Sequence, residues 1–153
     1  MRLRSACRSA LTLLFPLVPL AAAQAAPAPD ALPTGGQVVS GQASLAQTGN
    51  TLNVNQSSQQ VGLNWQTFNI GSGATVNFNQ PSADSLAVNR ILGNSGSEIF
   101  GHLNANGQVW LINPNGVLFG QGSQVNVGGL VASTLNTQDN TNFAGSSNAS
   151  IVN

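Results

Sequence analysis

Apolar side chains recur at every second position in short runs along this chain, and each run is closed by a corner rich in Gly and Asn. Leu52/Val54, Leu63/Trp65, Phe68/Ile70, Val76/Phe78, Leu86/Val88, Val109/Leu111, Val117/Phe119 and Val125/Val127 each place two apolar groups on one side of an extended segment. A period of two predicts β-strands with one buried face. Between the runs lie Gly49-Asn50, Gly71-Ser72-Gly73, Asn79-Gln80-Pro81, Gly93-Asn94-Ser95-Gly96, Asn106-Gly107, Asn115-Gly116 and Gly120-Gln121-Gly122. These are turn signals, since Gly and Asn accept positive φ at little cost. Beyond the first 25 residues no helical repeat is visible, so the expected class is all-β. Asn106-Gly107 reads as a local hairpin turn.

Two all-β solutions fit, an antiparallel sandwich and a coiled solenoid of parallel strands. Short two-residue apolar faces, cornered at close intervals, suit rungs that turn and stack on the coil before them. A sandwich would more often carry Lys and Glu on its outer faces. Residues 104–134 hold no Lys, Arg, Asp or Glu, as suits stacked rungs that cannot accommodate unpaired charge. The expectation is a parallel β-solenoid with a hairpin or two as excursions.

The N-terminus reads as a processing signal. Arg2, Arg4 and Arg8 precede an apolar stretch from Leu11 to Leu20, and Ala23-Gln24-Ala25 offers a cleavage site after Ala25. The apolar stretch is short for a membrane span. The expected organisation is a signal peptide over 1–25, an extended and mobile Pro/Gly-rich lead-in over 26–36, and one β-domain over 37–153. Residues 143–153 read as the start of another coil, so the chain is expected to be the leading part of a longer protein.

Removing 1–25 leaves Arg90 as the only basic side chain against Asp30, Asp84, Glu98 and Asp139. Nucleic acid and anionic lipid both call for a basic surface, which is lacking. The one cysteine, Cys7, departs with the signal, so no disulfide can form and stability must come from burial and backbone hydrogen bonds.

Catalytic and cofactor chemistry find little support. A metal site needs clustered His, Cys or carboxylate, and a cofactor fingerprint is missing from Gly120-Gln121-Gly122-Ser123, so neither is expected. His102 is the only histidine, and no nucleophile elbow accompanies it. Asp84 and Glu98 form a conceivable glycosidase pair on a solenoid, which keeps an extracellular carbohydrate-active protein as the alternative. A self-assembling Asn/Gln-rich β-fibre is a further rival. Arg90 is most simply a local ion-pair partner of Asp84 or Glu98. Asn113-Pro114-Asn115-Gly116-Val117 reads as a rigid corner between buried strands, because Pro114 fixes φ and Asn115-Gly116 supports positive φ.

One set of segments carries a family resemblance. It comprises Leu32-Pro33-Thr34-Gly35-Gly36, Asn64-Trp65-Gln66-Thr67-Phe68-Asn69-Ile70, Ala87-Val88-Asn89-Arg90-Ile91 and Gly101-His102-Leu103-Asn104-Ala105-Asn106-Gly107. It continues with Val109 to Val117 and with Gly128-Gly129-Leu130-Val131-Ala132-Ser133-Thr134. Together these resemble the N-terminal secretion domain of filamentous-haemagglutinin-type exoproteins of the two-partner pathway, and Trp65-x-x-Phe68-x-Ile70 looks most like the high-molecular-weight adhesin branch. The family's Asn-Pro-Asn-Leu motif is absent, and Val117 replaces the more usual Ile. The resemblance implies a right-handed parallel β-helix with N-terminal capping strands and extra-helical hairpins. It implies a non-enzymatic, monomeric secretion-targeting and folding-nucleus domain, exported through the periplasm to the cell surface or medium. The partner it implies is a dedicated outer-membrane β-barrel transporter, with a host surface engaged by a downstream region. Trp65, Phe68, Asn89, Arg90, Asn106 and Gly107 are the family-motif positions, and Asn113 to Val117 the transporter-recognition or structural corner.

Overall fold

The computed structural model describes residues 25–135. The expected signal segment over 1–25, all but Ala25, and the expected further coil over 143–153 lie outside them. Twelve strands form among the described residues: β1 (Gln37–Ser40), β2 (Ala43–Thr48), β3 (Thr51–Gln56), β4 (Gln60–Trp65), β5 (Thr75–Asn79), β6 (Leu86–Ile91), β7 (Ser97–Ile99), β8 (His102–Ala105), β9 (Gln108–Ile112), β10 (Val117–Phe119), β11 (Gln124–Asn126) and β12 (Gly129–Ser133). They sort into three faces. The first is β11-β8-β5-β3-β2, the second β1-β4-β6-β9-β12, and the third pairs β10 with β7 and extends to the first coil through an Ile70–Ile99 bridge.

Each coil visits the three faces in turn and then stacks in parallel on its predecessor. Leu52 lies beside Val76, Val76 beside Leu103 and Leu103 beside Val125 on the first face. On the second face Val61, Ala87, Val109 and Leu130 form one inward row. Parallel in-register pairing places like positions of successive coils on the same side of the sheet, so every coil adds its apolar groups to one continuous interior. Trp65, Phe68, Phe78, Leu63, Ile70, Ile99, Leu103 and Leu111 are fully enclosed there.

The N-terminal end is closed by strands of opposite direction. β1 runs antiparallel to β4 with an irregularity between Val38 and Ser40, and β2 runs antiparallel to β3 through the Gly49-Asn50 turn. Gly36 passes so close to the Trp65 ring that a Cβ there would sit 2.4 Å from Cζ3. The lead-in over 26–36, expected to be extended, turns at Pro29-Asp30, where the Ala31 amide donates to the Ala28 carbonyl at 2.9 Å, and it is hydrogen-bonded to the first coil. The Gly71 amide donates to the Ala31 carbonyl at 2.9 Å, that of Gly73 to Pro29 at 2.7 Å, and Thr34 bridges Thr67.

Two further expectations are corrected. Asn106-Gly107 is not a hairpin turn: β8 and β9, which flank it, belong to different faces, and the dipeptide is the corner between them. The hairpin is at Gly49-Asn50 instead. Leu86/Val88 is not the inward pair of β6. Stacking against Val61, Leu63 and Trp65 turns Ala87, Asn89 and Ile91 inward, and Leu86 and Val88 face away. Alternation alone left both sides of β6 apolar, and the register of neighbouring strands decided between them.

Candidate functional site

The corner Asn113 to Val117 joins β9 on the second face to β10 on the third. The Gly116 amide donates to the Asn113 carbonyl at 3.0 Å, closing a four-residue turn with Pro114 and Asn115 at its centre. Only Gly116 takes positive φ, at 100°; Asn115 does not. The side chain of Asn113 is fully buried and works as a strut. Its Nδ2 donates to the Ser97 Oγ at 2.9 Å and to the Ser95 carbonyl at 3.1 Å, and its Oδ1 accepts the Asn115 amide at 2.9 Å. Asn115 Nδ2 reaches the Gly93 carbonyl at 2.9 Å. The corner is thereby fastened to the 93–97 segment of the preceding coil.

Exposure divides the motif. Pro114 and Asn115 face solvent, Gly116 and Val117 are half-buried, and Asn113 is inside. Leu118 directly after the corner is 53 % exposed, and Leu92, which begins the segment beneath it, is 58 % exposed. Pro114 and Asn115 are the members of the turn displayed to solvent, while Asn113 holds the turn from inside.

The other motif positions fall into three places. Trp65, Phe68 and Asn89 come together in the interior: the Trp65 and Phe68 rings meet edge to face at 5.6 Å, and the indole Nε1 donates to Asn89 Oδ1 at 2.9 Å. Asn89 Nδ2 donates to the carbonyls of Ala87 and Trp110. Asn106 and Gly107 meet Gln80 of the coil before. Asn106 Nδ2 donates to the Gln80 carbonyl and its Oδ1 accepts the Gln80 amide, both at 2.7 Å, while the Gly107 amide donates to Gln80 Oε1 at 2.8 Å. Arg90 stands on the outward side of β6 between Asn64 and Ile112, where burial lowers its pKa from the ordinary value.

Gln80 was not anticipated from the sequence. Its buried Nε2 donates to Gln56 Oε1 at 3.2 Å and to the Gln108 carbonyl at 3.2 Å, so one side chain touches the first, second and third coils. The signal was present as a repeat: Leu52-Asn53-Val54-Asn55-Gln56 returns as Val76-Asn77-Phe78-Asn79-Gln80, then as Leu103-Asn104-Ala105-Asn106-Gly107 and Val125-Asn126. On the outer side of the first face, Nδ2 of Asn77 donates to Oδ1 of Asn53, Asn104 to Asn77 and Asn126 to Asn104, across sequence separations of 24, 27 and 22. The repeat is the coil period.

Residues weighed for catalysis do not converge. Asp84 lies in the corner between β5 and β6, Glu98 in the middle of β7 on the third face, and His102 on the first face beside Thr75 and Gln124. Among the described residues no three His, Cys, Asp or Glu are grouped to hold a metal ion.

Comparison with known proteins matches residues 30–152 to the family model described as TPS secretion domain. A heme/hemopexin-binding protein of Haemophilus influenzae is 45% identical over 103 residues, 67% of this chain and 11% of that protein. A second protein of the same name and species is 42% identical over 87 residues, 57% of this chain and 9% of that one. The chain thus spans about a tenth of the length of these relatives. Among solved structures, the HMW1 secretion domain from Haemophilus influenzae superposes with a TM-score of 0.65 at 37% identity, covering 70% of this chain and 28% of that one. A coil-wound β-architecture, and a sequence match over most of the length, place this chain in the family of TPS secretion domains.

Proposed function

We propose that this chain is the targeting and folding-start segment of a larger exported protein, read in the periplasm by a dedicated outer-membrane β-barrel transporter through the corner Asn113 to Val117. Family membership supports the secretion role. The observation that carries the assignment to the corner is its split exposure: Asn113 is locked inside by Ser95 and Ser97, and Pro114 and Asn115 are displayed outside with Leu92 and Leu118 beside them. A rigid, uncharged, outward turn offers a partner a preformed shape at little entropic cost.

The domain limits follow the same reading: a cleaved signal ending at Ala25, a tethered lead-in over 26–36, and a coil-forming domain from residue 37 to 153. It works as a binding and folding module rather than a catalyst, and as a monomer. Its coil architecture suits export without an energy source outside the cell, because each new coil can add to a finished rung. At roughly 1.5–3 kcal/mol for each large apolar side chain buried, a coil that encloses three offsets part of its ordering cost. At the C-terminal end of the described stack the inward side chains Phe119 of the third coil, at 37 % exposure, and Leu130 of the fourth, at 38 %, present such a rung.

The test is secretion in a host expressing the chain with its transporter. Asn115→Ile and Pro114→Ala are expected to lower the amount released while the purified variants keep their β-type circular dichroism. Normal release of both would remove the corner from recognition.

A further inference from the structure

Two Asn-Gly dipeptides, Asn106-Gly107 and Asn115-Gly116, occupy corners of the third coil. In an open chain this pair is chemically labile, since glycine has no side chain to hinder its backbone nitrogen from approaching the asparagine Cγ. We propose that Asn115 is a deamidation site that is reactive while its corner is open and is shut off when the corner folds. The Gly116 nitrogen loses its proton to solvent base and forms a bond to Cγ of Asn115. The Cγ–Nδ2 bond breaks, and the nitrogen leaves as ammonia after taking up a proton. Water then opens the five-membered imide, giving aspartate or, by cleavage on the main-chain side, isoaspartate. The net change is amide plus water to carboxylate plus ammonium, with no oxidant or cofactor.

The folded corner holds both reacting groups elsewhere. The Gly116 N–H is donated to the Asn113 carbonyl at 3.0 Å, and the leaving Nδ2 is donated to the Gly93 carbonyl at 2.9 Å. Attack requires both bonds to be given up together. Asn106 is held more firmly still, by reciprocal bonds to the Gln80 amide and carbonyl and by the Gly107 N–H on Gln80 Oε1. Asn115 is therefore the first to react when the solenoid opens locally, and Asn106 follows on wider unfolding. The product cannot rebuild the corner. Aspartate has no donor for the Gly93 carbonyl, and isoaspartate lengthens the main chain where the Gly116 carbonyl accepts the Ser97 amide at 2.9 Å.

Peptide mapping by mass spectrometry tests this on the purified exported chain, incubated folded or in guanidinium at one mildly alkaline pH. Conversion at Asn115 is expected to be roughly tenfold or more slower in the folded chain, the factor that two net hydrogen bonds represent. In the folded chain Asn115 should convert ahead of Asn106, and Ser97→Ala, which removes one anchor of Asn113, should speed it. Equal rates in folded and unfolded chain, or Asn106 reacting first in the folded one, would overturn the proposal. So would an unfolded chain in which Asn115 reacts no faster than Asn64, which precedes Trp65. None of these readouts depends on the transporter.

Discussion

The indole N–H of Trp65 donates to the side-chain oxygen of Asn89 across 2.9 Å, with both residues buried. The two residues sit on adjacent coils, 24 positions apart, so the bond fixes the register of the second coil on the first. A buried polar pair of this kind is costly to halve, because the surviving partner is left without water or protein to bond. Asn89→Leu is expected to destabilise the domain by about 1–3 kcal/mol, read from the midpoint of urea unfolding. Pairing it with Trp65→Phe should cost less than the two single losses summed, since the orphaned donor disappears. Strict additivity would mean that the bond contributes nothing.

Gln80 is expected to be among the most sensitive polar positions. Gln80→Leu keeps the bulk but leaves the Gly107 amide without its acceptor and removes the donor to Gln56 and Gln108. A loss of about 2–4 kcal/mol follows if one or two buried groups go unsatisfied. The same exchange at exposed Gln121 should lie within about 0.5 kcal/mol of wild type, and thermal unfolding of the two variants side by side checks the contrast.

Asn113 and Asn115 should separate a structural loss from a recognition loss. Asn113→Ala frees the Ser95 carbonyl and the Ser97 hydroxyl inside the fold, for an expected cost of about 1–3 kcal/mol. Asn115→Ala removes the part-buried bond to the Gly93 carbonyl and a longer one to Asn113 Oδ1, for about 0.5–1.5 kcal/mol. If release through the transporter instead tracks stability alone, Asn113→Ala will be the worse secreted of the two, and the reading of Asn115 by a partner loses its support.

Two corner glycines are needed for different reasons. At Gly116, φ is +100° and an added Cβ would meet nothing within 4 Å, so Gly116→Ala should cost only its backbone strain, about 1–2 kcal/mol. At Gly107 a Cβ would lie 2.6 Å from the Ser85 carbonyl oxygen and 2.8 Å from Gln80 Oε1. Backbone oxygen cannot swing aside, so Gly107→Ala should be the more damaging, as unfolding midpoints of both variants would report.

Much of this architecture was legible in the linear text. Alternation gave the inward residues of β3, β4, β5 and β9, because a strand with one apolar side has only one way to face a core. Glycine and asparagine marked the corners, and scarcity of charge pointed to stacked rungs. Local text could not say which side of β6 faces in, since Leu86 and Val88 look as apolar as Ala87 and Ile91. Nor could it reveal that Asn106-Gly107 turns between faces, because a hairpin and a corner use the same residues and differ only in which strand lies alongside.

The candidate site divides along the same line. The sequence by itself determined that Asn113 to Val117 form a tight turn, since proline and glycine restrict or release the backbone wherever they occur. Tertiary structure decided which members of the turn a partner can touch. Asn113 is hidden and Asn115 displayed only because the 93–97 segment of the preceding coil lies beneath them, a neighbour 16 to 22 positions away in the chain but within hydrogen-bond distance in space.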